Sequence, residues 1–158
     1  MKTKKTNAVR LLDQKKIPYT LHQAELGDNV DGMHVAEVFG EDPNHVFKTL
    51  VTTGKDKNHY VFLVPVNANL DLKKAAKAAG VKAIEMLPLK ELFPLTGYVH
   101  GGCSPVGMKK RFATYIDQSA LSCPTIYFSA GKIGEQIEID PSLVEKELDI
   151  HPADLKTE

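Results

Sequence analysis

The sequence predicts an α+β fold in which helices flank a mixed, strongly curved, barrel-like β-sheet. Apolar and β-branched segments occur in hairpin-like groups, and segments with helical spacing of apolar residues lie between these groups. A regular series of βαβ units, which would predict a purely parallel sheet, is not found in the pattern. The chain has 158 residues, of which 42% are hydrophobic, so residues 1–158 are expected to form one domain with a substantial core.

The first half of the chain begins with a predicted amphipathic helix over residues 7–16. Thr6 suits the N-cap of this helix, because its hydroxyl can accept a hydrogen bond from a free N–H of the first turn, and Pro18 ends the helix. The elements predicted next are a strand over 19–22, a polar loop over 25–32, a helix over 33–39 that ends at Gly40, and a pair of strands over 46–53 and 59–66.

The second half contains a glycine-rich loop between further predicted elements. Val99 is expected to enter this loop from a strand, and a second strand is expected to leave it at Phe112. The elements predicted before the loop are a helix over 72–79 that Asn69 or Asp71 caps and Gly80 closes, a strand over 81–86, and a short helix with Pro88 in its first turn. Those predicted after it are strands over 112–117, 125–129 and 135–139, a helix from Pro141 to Leu148, and a tail beginning at His151.

Composition and charge exclude several classes of protein. The formal net charge is +0, which argues against indiscriminate binding to nucleic acid but is compatible with a local basic surface. The two cysteines, Cys103 and Cys123, form no CxxC pair or zinc-type spacing, so we expect free thiols in a reducing compartment and no metal site. No Walker A or GxGxxG motif predicts a cofactor. No apolar run is long enough to span a bilayer or to follow the basic start as a signal peptide, so a cytoplasmic protein is expected.

The glycine-rich loop extends from Gly97 to Arg111 and contains four glycines and a Ser-Pro step. Glycine allows positive φ and close approach of the backbone to other groups. Backbone N–H groups in such a loop can bind a carbonyl, carboxylate or phosphate oxygen. The alternative is a tight connection within a sheet, with the lysines as ordinary surface charge.

Lys48 lies within an otherwise apolar, β-branched segment. It is either a charged residue that protects an edge strand or a cation that lines a cavity and binds an anionic group. Nucleophilic catalysis is weakly indicated: Ser104 and Ser129 lie in no GxSxG motif, and Cys103 in a glycine loop is more often structural. The carboxylates Glu135 and Glu138 are interpreted as solvated charge.

Four segments, taken together in their order and spacing, resemble one known family. They are Phe47–Leu50, Leu70–Lys77, Thr96–Arg111 with its GGxSPxGxKKR pattern, and Ile126–Gly134. In this arrangement the chain resembles the YbaK family of Cys-tRNA(Pro) deacylases, which are relatives of the editing domain inserted in bacterial prolyl-tRNA synthetases. The resemblance covers nearly the whole chain, and it implies a substrate pocket bordered by the lysine strand and the glycine loop.

The resemblance also implies roles for individual residues. Lys48 is assigned as the catalytic residue, in contact with the terminal adenosine or its phosphate. Substrate binding is assigned to five further residues: Thr49, Gly101, Gly102, Ser104 and Ser129. The chain departs from the family at Ala24, near which a tyrosine is often found, at Cys103, where a branched aliphatic residue is common, and at Gln136, which replaces an acidic residue. These departures bear on substrate preference more than on the reaction.

Two basic clusters are candidates for phosphate contacts with tRNA. One is Lys73, Lys74 and Lys77 on the predicted helix, and the other is Lys109, Lys110 and Arg111 after the glycine loop. The alternative for both is plain solvated charge.

The first hypothesis for function is a trans-editing hydrolase of mischarged Cys-tRNA(Pro), with aminoacyl-tRNA and prolyl-tRNA synthetase as partners. The resemblance implies that the thiol of the substrate itself attacks the ester carbonyl, and this fits a sequence without a convincing nucleophile and base. The rival is a tRNA-binding accessory module of a synthetase without turnover of its own. A third alternative is an unrelated small-molecule or nucleotide-binding protein.

Overall fold

The computed structural model of the protein describes residues 5–157, so Lys2 and Lys4 of the basic start, and Glu158, lie outside it. The helices in this range are α1 (Asn7–Gln14), α2 (Gly32–Phe39), α3 (Leu72–Ala79), α4 (Leu92–Thr96) and α5 (Pro141–Leu148). The strands are β1 (Thr20–Gln23), β2 (Phe47–Gly54), β3 (His59–Pro65), β4 (Ile84–Met86), β5 (Ala113–Asp117), β6 (Ile126–Ser129), β7 (Glu135–Ile139) and β8 (Ile150–Ala153). None of these helices has the length and apolar character needed to cross a membrane.

The helix ends follow the predicted capping chemistry. The Thr6 hydroxyl accepts a hydrogen bond from the Val9 N–H, which satisfies a free donor in the first turn of α1. Asp71, rather than Asn69, caps α3, because its carboxylate accepts from the backbone N–H groups of Lys73 and Lys74. The predicted helix boundaries therefore agree with the structure wherever a cap marks them.

The strands form two sheets. The larger sheet has the order β4-β2-β3-β5-β8, and the smaller sheet has the order β1-β7-β6. Antiparallel pairing between β2 and β3 and parallel pairing between β3 and β5 make the larger sheet mixed, as predicted. An isolated bridge between Val46 and Tyr127 joins the two sheets. The α+β class is confirmed, and the curved sheet is not closed into a barrel.

The main hydrophobic core lies between the two sheets and is covered by α1 and α5. It includes Phe47 and Leu63 from the larger sheet and Phe128 and Ile137 from the smaller one. A second core lies between the opposite face of the larger sheet and α3, around Phe62. The larger sheet is thus buried on both faces, which explains the continuous apolar run predicted for β3.

Two element predictions are wrong. Val99 does not belong to a strand, because the glycine loop is entered from α4, which ends at Gly97 in the left-handed conformation. Residues 150–153 are not a tail but form β8, which pairs in parallel with β5. The sequence pattern did not predict this strand because it contains Pro152, which lacks a backbone N–H. The strand lies at the edge of the sheet, where a missing N–H is tolerated.

The interpretation of Glu135 and Glu138 as solvated charge is also wrong. Glu135 is only 6% exposed, and its carboxylate accepts a hydrogen bond from the Gln23 side chain. Glu138 accepts from the Thr125 hydroxyl at 2.7 Å and lies 2.8 Å from His22 Nε2, and these contacts lower its pKa. Both residues belong to β7, the central strand of the smaller sheet, so neighbouring strands supply their partners.

Candidate active site

A cleft of about 310 Å³ opens where β6 separates from β2. The two strands touch at the bridge between Val46 and Tyr127 and pair no further. The cleft walls come from residues 30–32 and Val35, residues 47–50 of β2, residues 100, 101 and 103 of the glycine loop, and Ser129 with Gln136 from the smaller sheet. The predicted pocket between the lysine strand and the glycine loop is therefore present.

The edge of β2 faces this cleft. The Leu87 N–H donates to the Val51 carbonyl, and the Tyr127 N–H donates to the His45 carbonyl, which identifies the side of β2 turned away from β3. Backbone groups of every second residue in a strand point to the same side. The Thr49 N–H and carbonyl therefore point into the cleft, at a position where the described part of the chain provides no pairing strand. This edge can bind a ligand through backbone hydrogen bonds.

Lys48 lies in the cleft wall, so the cavity interpretation of this lysine agrees with its position. Its side chain is half-buried, and burial lowers the pKa of its ammonium group, while the carboxylate of Asp31 on the opposite wall acts in the other direction. Lys48 forms no ion pair with any carboxylate in residues 5–157. The cation is available to an anionic or hydroxyl-bearing ligand.

Two buried polar atoms in the cleft wall have no hydrogen-bond partner within the described residues. They are Thr49 Oγ1 and Gln136 Oε1. Gln136 is 9% exposed and lies directly across from Ser129 on β6 and from His22 on β1. Buried polar atoms in folded proteins nearly always have a partner, and an exception calls for an explanation. A ligand or an ordered water in the cleft can supply these hydrogen bonds.

Gly101 and Gly102 allow the glycine loop to pack closely against its neighbours. Gly101 has φ +86°, and a Cβ there would lie 2.6 Å from the Cβ of Val30. A Cβ on Gly102 would lie 2.9 Å from the backbone nitrogen of Ile133. Gly101 borders the cleft, whereas Gly102 lies behind it with its N–H donated to the Val99 carbonyl.

Ser104 and Cys103 are both buried in the same loop. The Ser104 hydroxyl accepts a hydrogen bond from the Val106 N–H, so this residue stabilises the turn and does not border the cleft. Cys103 does border the cleft, but burial raises the pKa of its thiol to about 12. A thiol that stays protonated is a poor nucleophile. Cys103 therefore lines the cleft as an unreactive side chain, as the structural interpretation of this cysteine predicts.

The two predicted tRNA-binding clusters lie outside the cleft. Lys73 and Lys77 are exposed on α3, but the Lys74 ammonium donates to Asp154 at 3.1 Å and to the Lys156 carbonyl at 2.9 Å. These contacts hold the C-terminal segment against α3. The role of the three lysines in binding tRNA stays a prediction.

The second cluster is divided in a similar way. The Arg111 guanidinium donates to the carbonyls of Leu148 and Asp149 and to the Asp149 carboxylate. Lys110 is exposed, and the Lys109 ammonium lies 5.4 Å from the ring centroid of Phe93. Arg111 is therefore engaged at the end of α5, whereas the two lysines remain on the surface.

Sequence reasoning missed three features of the site. It did not assign Gln136 to the cleft, did not foresee the free backbone edge at Thr49, and did not include the wall around Val30 and Asp31. Strand alternation contained one usable signal for Gln136. It places Gln136 on the same face of β7 as Glu138, and Ser129, already a predicted site residue, belongs to a neighbouring strand. The other two features depend on which strands pair, which the pattern does not contain.

The fold is shared with solved structures. The protein superposes on the hypothetical protein APE2540 with a TM-score of 0.88 at 19% identity, covering 96% of this chain and 100% of that one. It superposes on a protein described as a "putative trans-editing enzyme for prolyl tRNA synthetase" with a TM-score of 0.81 at 24% identity, covering 99% and 100%. These likenesses define the class: an α+β fold of the same architecture.

The family follows from sequence similarity. Residues 31–146 match the model of the aminoacyl-tRNA editing domain. The chain is also 48% identical over 141 residues, covering 89% of this chain and 86% of the relative, to an Enterococcus faecalis protein named "Putative Cys-tRNA(Pro)/Cys-tRNA(Cys) deacylase EbsC". The chain therefore belongs to the aminoacyl-tRNA editing domain family, and the resemblance seen in its motifs is confirmed.

Proposed function

We propose that the protein is a trans-editing deacylase that hydrolyses the ester bond of Cys-tRNA(Pro). The observation that carries the proposal is the cleft wall, which Lys48 lines together with two residues that have buried polar atoms without partners, Thr49 and Gln136. Membership of the editing-domain family supports the reaction class. The name of the Enterococcus faecalis relative supports the cysteinyl substrate.

Lys48 binds the terminal adenosine in this proposal. Its ammonium group is half-buried and free of ion pairs among residues 5–157, so a phosphate or ribose oxygen gains a charge-assisted hydrogen bond there. The free N–H and carbonyl of Thr49 lie on the same strand and hold the ester in an extended conformation. Gly101 approaches the aminoacyl group through backbone atoms, because a side chain at this position would collide with Val30.

Gln136 recognises the α-ammonium group of the amino acid. Its Oε1 is a buried acceptor without a partner in the described chain, and an ammonium group is a donor without acceptor capacity. Ser129 lies next to it across the strand pair, and its Oγ already accepts the Gly131 N–H. Because the Gly131 N–H occupies an acceptor position of this oxygen, the Ser129 hydroxyl hydrogen points away from Gly131 and can be donated to a substrate oxygen.

The reaction needs no nucleophile from the protein. The sulfur of the cysteinyl group attacks its own ester carbonyl, so a C–S bond forms, the C–O bond to the ribose breaks, and the thiol proton ends on the ribose hydroxyl. Water then opens the cyclic thioester and releases cysteine. An aminoacyl ester is already activated, so positioning and stabilisation of the oxyanion are sufficient contributions from the site.

The experiment compares Cys-tRNA(Pro) with Ser-tRNA(Pro) under single-turnover conditions. These substrates differ in one atom, and sulfur is the better nucleophile, so we expect cysteine release to be at least about tenfold faster. Equal rates would contradict attack by the substrate thiol and favour attack by water. Absence of turnover with both substrates, in a protein that binds tRNA, would establish the accessory-module alternative.

Cys103→Ala is the matched control for the origin of the attacking sulfur. Because burial keeps the Cys103 thiol protonated, we expect this variant to retain deacylation within about threefold and to keep its preference for the cysteinyl substrate. Cys103→Val, which adds bulk to the cleft wall, should retain part of the activity. A folded, tRNA-binding Cys103→Ala protein without turnover would contradict the substrate-assisted mechanism.

Prolyl-tRNA synthetase is the partner that we infer, since it is the enzyme that charges tRNA(Pro). Its addition to the deacylation assay should leave the rate on preformed Cys-tRNA(Pro) unchanged or raise it. A synthetase that inhibits deacylation by holding the mischarged tRNA would argue against direct cooperation. Cytoplasmic localisation, where translation takes place, stays a prediction.

A further inference from the structure

We propose that a surface beside the cleft binds the single-stranded 3′ end of the tRNA, upstream of the terminal adenosine. This surface, here called the α4 surface, consists of Leu89, Lys90, Phe93, Lys109 and Lys110. Leu89 is 62% exposed and Phe93 is 55% exposed, the two highest values among the exposed large apolar side chains of the described residues. The inference rests on the proposed function, because it names how the substrate of that site is held.

The core of the protein does not explain the apolar residues of this surface. Leu92 and Leu95 of the same helical segment pack against the main core and fix α4 in place. Leu89 and Phe93 are four residues apart, in a 3-10 turn (Leu89–Glu91) that continues into α4, so they project from one side of this helical segment. That side faces solvent, and its apolar character serves a contact outside the fold.

The charges of the α4 surface fit a phosphate backbone. Lys90, Lys109 and Lys110 are exposed, and Glu91 is the acidic residue among them. The Lys109 ammonium lies over one face of the Phe93 ring, 5.4 Å from its centroid. Proteins that bind single-stranded nucleic acid combine cations for the phosphates with aromatic rings on which bases stack. Phe93 beside three lysines is such a combination.

A short stretch of chain connects α4 to the cleft. The chain leaves α4 at Gly97, exposes Val99 to 47%, and then lines the cleft with His100 and Gly101. Four residues span at most about 14 Å, so the end of α4 lies within that distance of the cleft wall. When the terminal adenosine occupies the cleft, the nucleotides that precede it pass next to α4.

The test measures kcat/KM of Phe93→Ala on two substrates, full-length Cys-tRNA(Pro) and 2′(3′)-O-cysteinyl-adenosine, which lacks the preceding nucleotides. We expect a loss of about tenfold on the tRNA, the size of one lost base stack, and no loss on the adenosine ester. Phe93→Tyr keeps an aromatic face and should restore the wild-type rate. Leu121→Ala is the matched control, since Leu121 is 54% exposed on a different surface, and it should change neither rate.

Two outcomes would overturn the inference. One is an unchanged rate of Phe93→Ala on tRNA, and the other is an equal loss on both substrates, which would indicate a structural effect. A loss seen only when prolyl-tRNA synthetase is present would also overturn it, because the surface would then bind protein.

A binding measurement separates this inference from the proposed function. Fluorescence anisotropy with a single-stranded RNA that ends in CCA does not depend on turnover, so it tests the α4 surface even if wild-type protein hydrolyses neither substrate. Wild-type protein should bind this RNA more tightly than Phe93→Ala. Lys109→Ala should lower the slope of log K against log salt by about 0.7, the value for one phosphate contact on a single strand. Equal affinity of wild type and Phe93→Ala would contradict the inference.

Discussion

The Asp117 carboxylate and two polar atoms of the cleft are all buried, and they differ in whether they have hydrogen-bond partners. Where the C-terminal segment packs against the end of β5, Asp117 is 1% exposed. Its carboxylate accepts hydrogen bonds from the backbone N–H groups of Ser119, Leu155 and Lys156 at 3.0–3.1 Å. In the cleft, Thr49 Oγ1 and Gln136 Oε1 are equally hidden and have no partner among residues 5–157. The fold itself satisfies the Asp117 carboxylate, whereas the two cleft atoms, like the Ser119 Oγ beside Asp117, have no partner among these residues.

The difference separates residues that stabilise the fold from residues that bind. A buried carboxylate with three N–H donors holds together the segments that carry those donors, here the end of β5 and the strand-like C-terminal segment. A buried acceptor without a donor costs about 1–3 kcal/mol of stability. A ligand or an ordered water that supplies a donor offsets this cost, so the cleft is a place where ligand binding and stability are coupled.

The largest expected effect is on catalysis and comes from Lys48→Ala. Loss of the ammonium group should reduce deacylation of Cys-tRNA(Pro) by about 100-fold or more, because a positioned charge in a sheltered site contributes several kcal/mol to the transition state. The Tm should stay close to that of the wild type, since Lys48 has no ion pair to lose within the described chain. Lys55→Ala, at the exposed end of the same hairpin, is the control. Unchanged turnover in folded Lys48→Ala would refute the assignment.

Asp117→Asn should show the opposite behaviour, with lower stability and unchanged chemistry. The amide cannot accept three N–H bonds as well as a carboxylate, so we expect a loss of about 2 kcal/mol and a decrease of Tm of roughly 4–8 °C. Deacylation per folded molecule should not change. Thermal denaturation followed by circular dichroism, together with the deacylation assay, measures both; a variant with normal Tm and lost activity would reverse the comparison.

The same variant makes a prediction about pH. Burial opposes ionisation of Asp117, but the hydrogen bonds from Ser119, Leu155 and Lys156 outweigh it and lower the pKa of the carboxyl group. A folded-state pKa below the unfolded value of about 3.9 adds stability above that pH, and this stability is lost as pH falls through the folded pKa. The difference in unfolding free energy between wild type and Asp117→Asn should therefore shrink below about pH 4. A constant difference from pH 7 to pH 3 would contradict it.

The smallest effects, and the sharpest test of the comparison, are expected for Gln136→Met and Thr49→Val. Both substitutions keep the side-chain volume and remove a buried polar atom without a partner, so stability should stay the same or rise by about 1 kcal/mol. Deacylation should nevertheless fall about tenfold, the effect of one lost hydrogen bond to the substrate. Chemical denaturation and kcat/KM measure the two quantities. Lower stability in either variant would mean that these atoms have partners in the free protein.

Local chemistry made much of the fold predictable. Thr6 and Asp71 mark helix starts, and Gly40 and Gly80 mark helix ends, because caps act within a few residues of the chain. Runs of β-branched and aromatic residues located β2, β3 and β6, and period-two alternation located β7, for the same reason. The glycine loop and Lys48 were also visible as exceptions to their surroundings. The sequence by itself therefore determined most of the elements, the capped helix ends and two of the four cleft walls.

Only the tertiary structure decided how distant segments meet. Lys48 and Gln136 are far apart in the chain, and they share a cleft because β6 touches β2 at one bridge and then separates from it. The same long-range packing buried Glu135, paired β8 with β5, and engaged Lys74 and Arg111 with the C-terminal half of the chain. Local propensity has no information about such contacts, because their free energy belongs to pairs of segments that become neighbours only after the whole chain has packed.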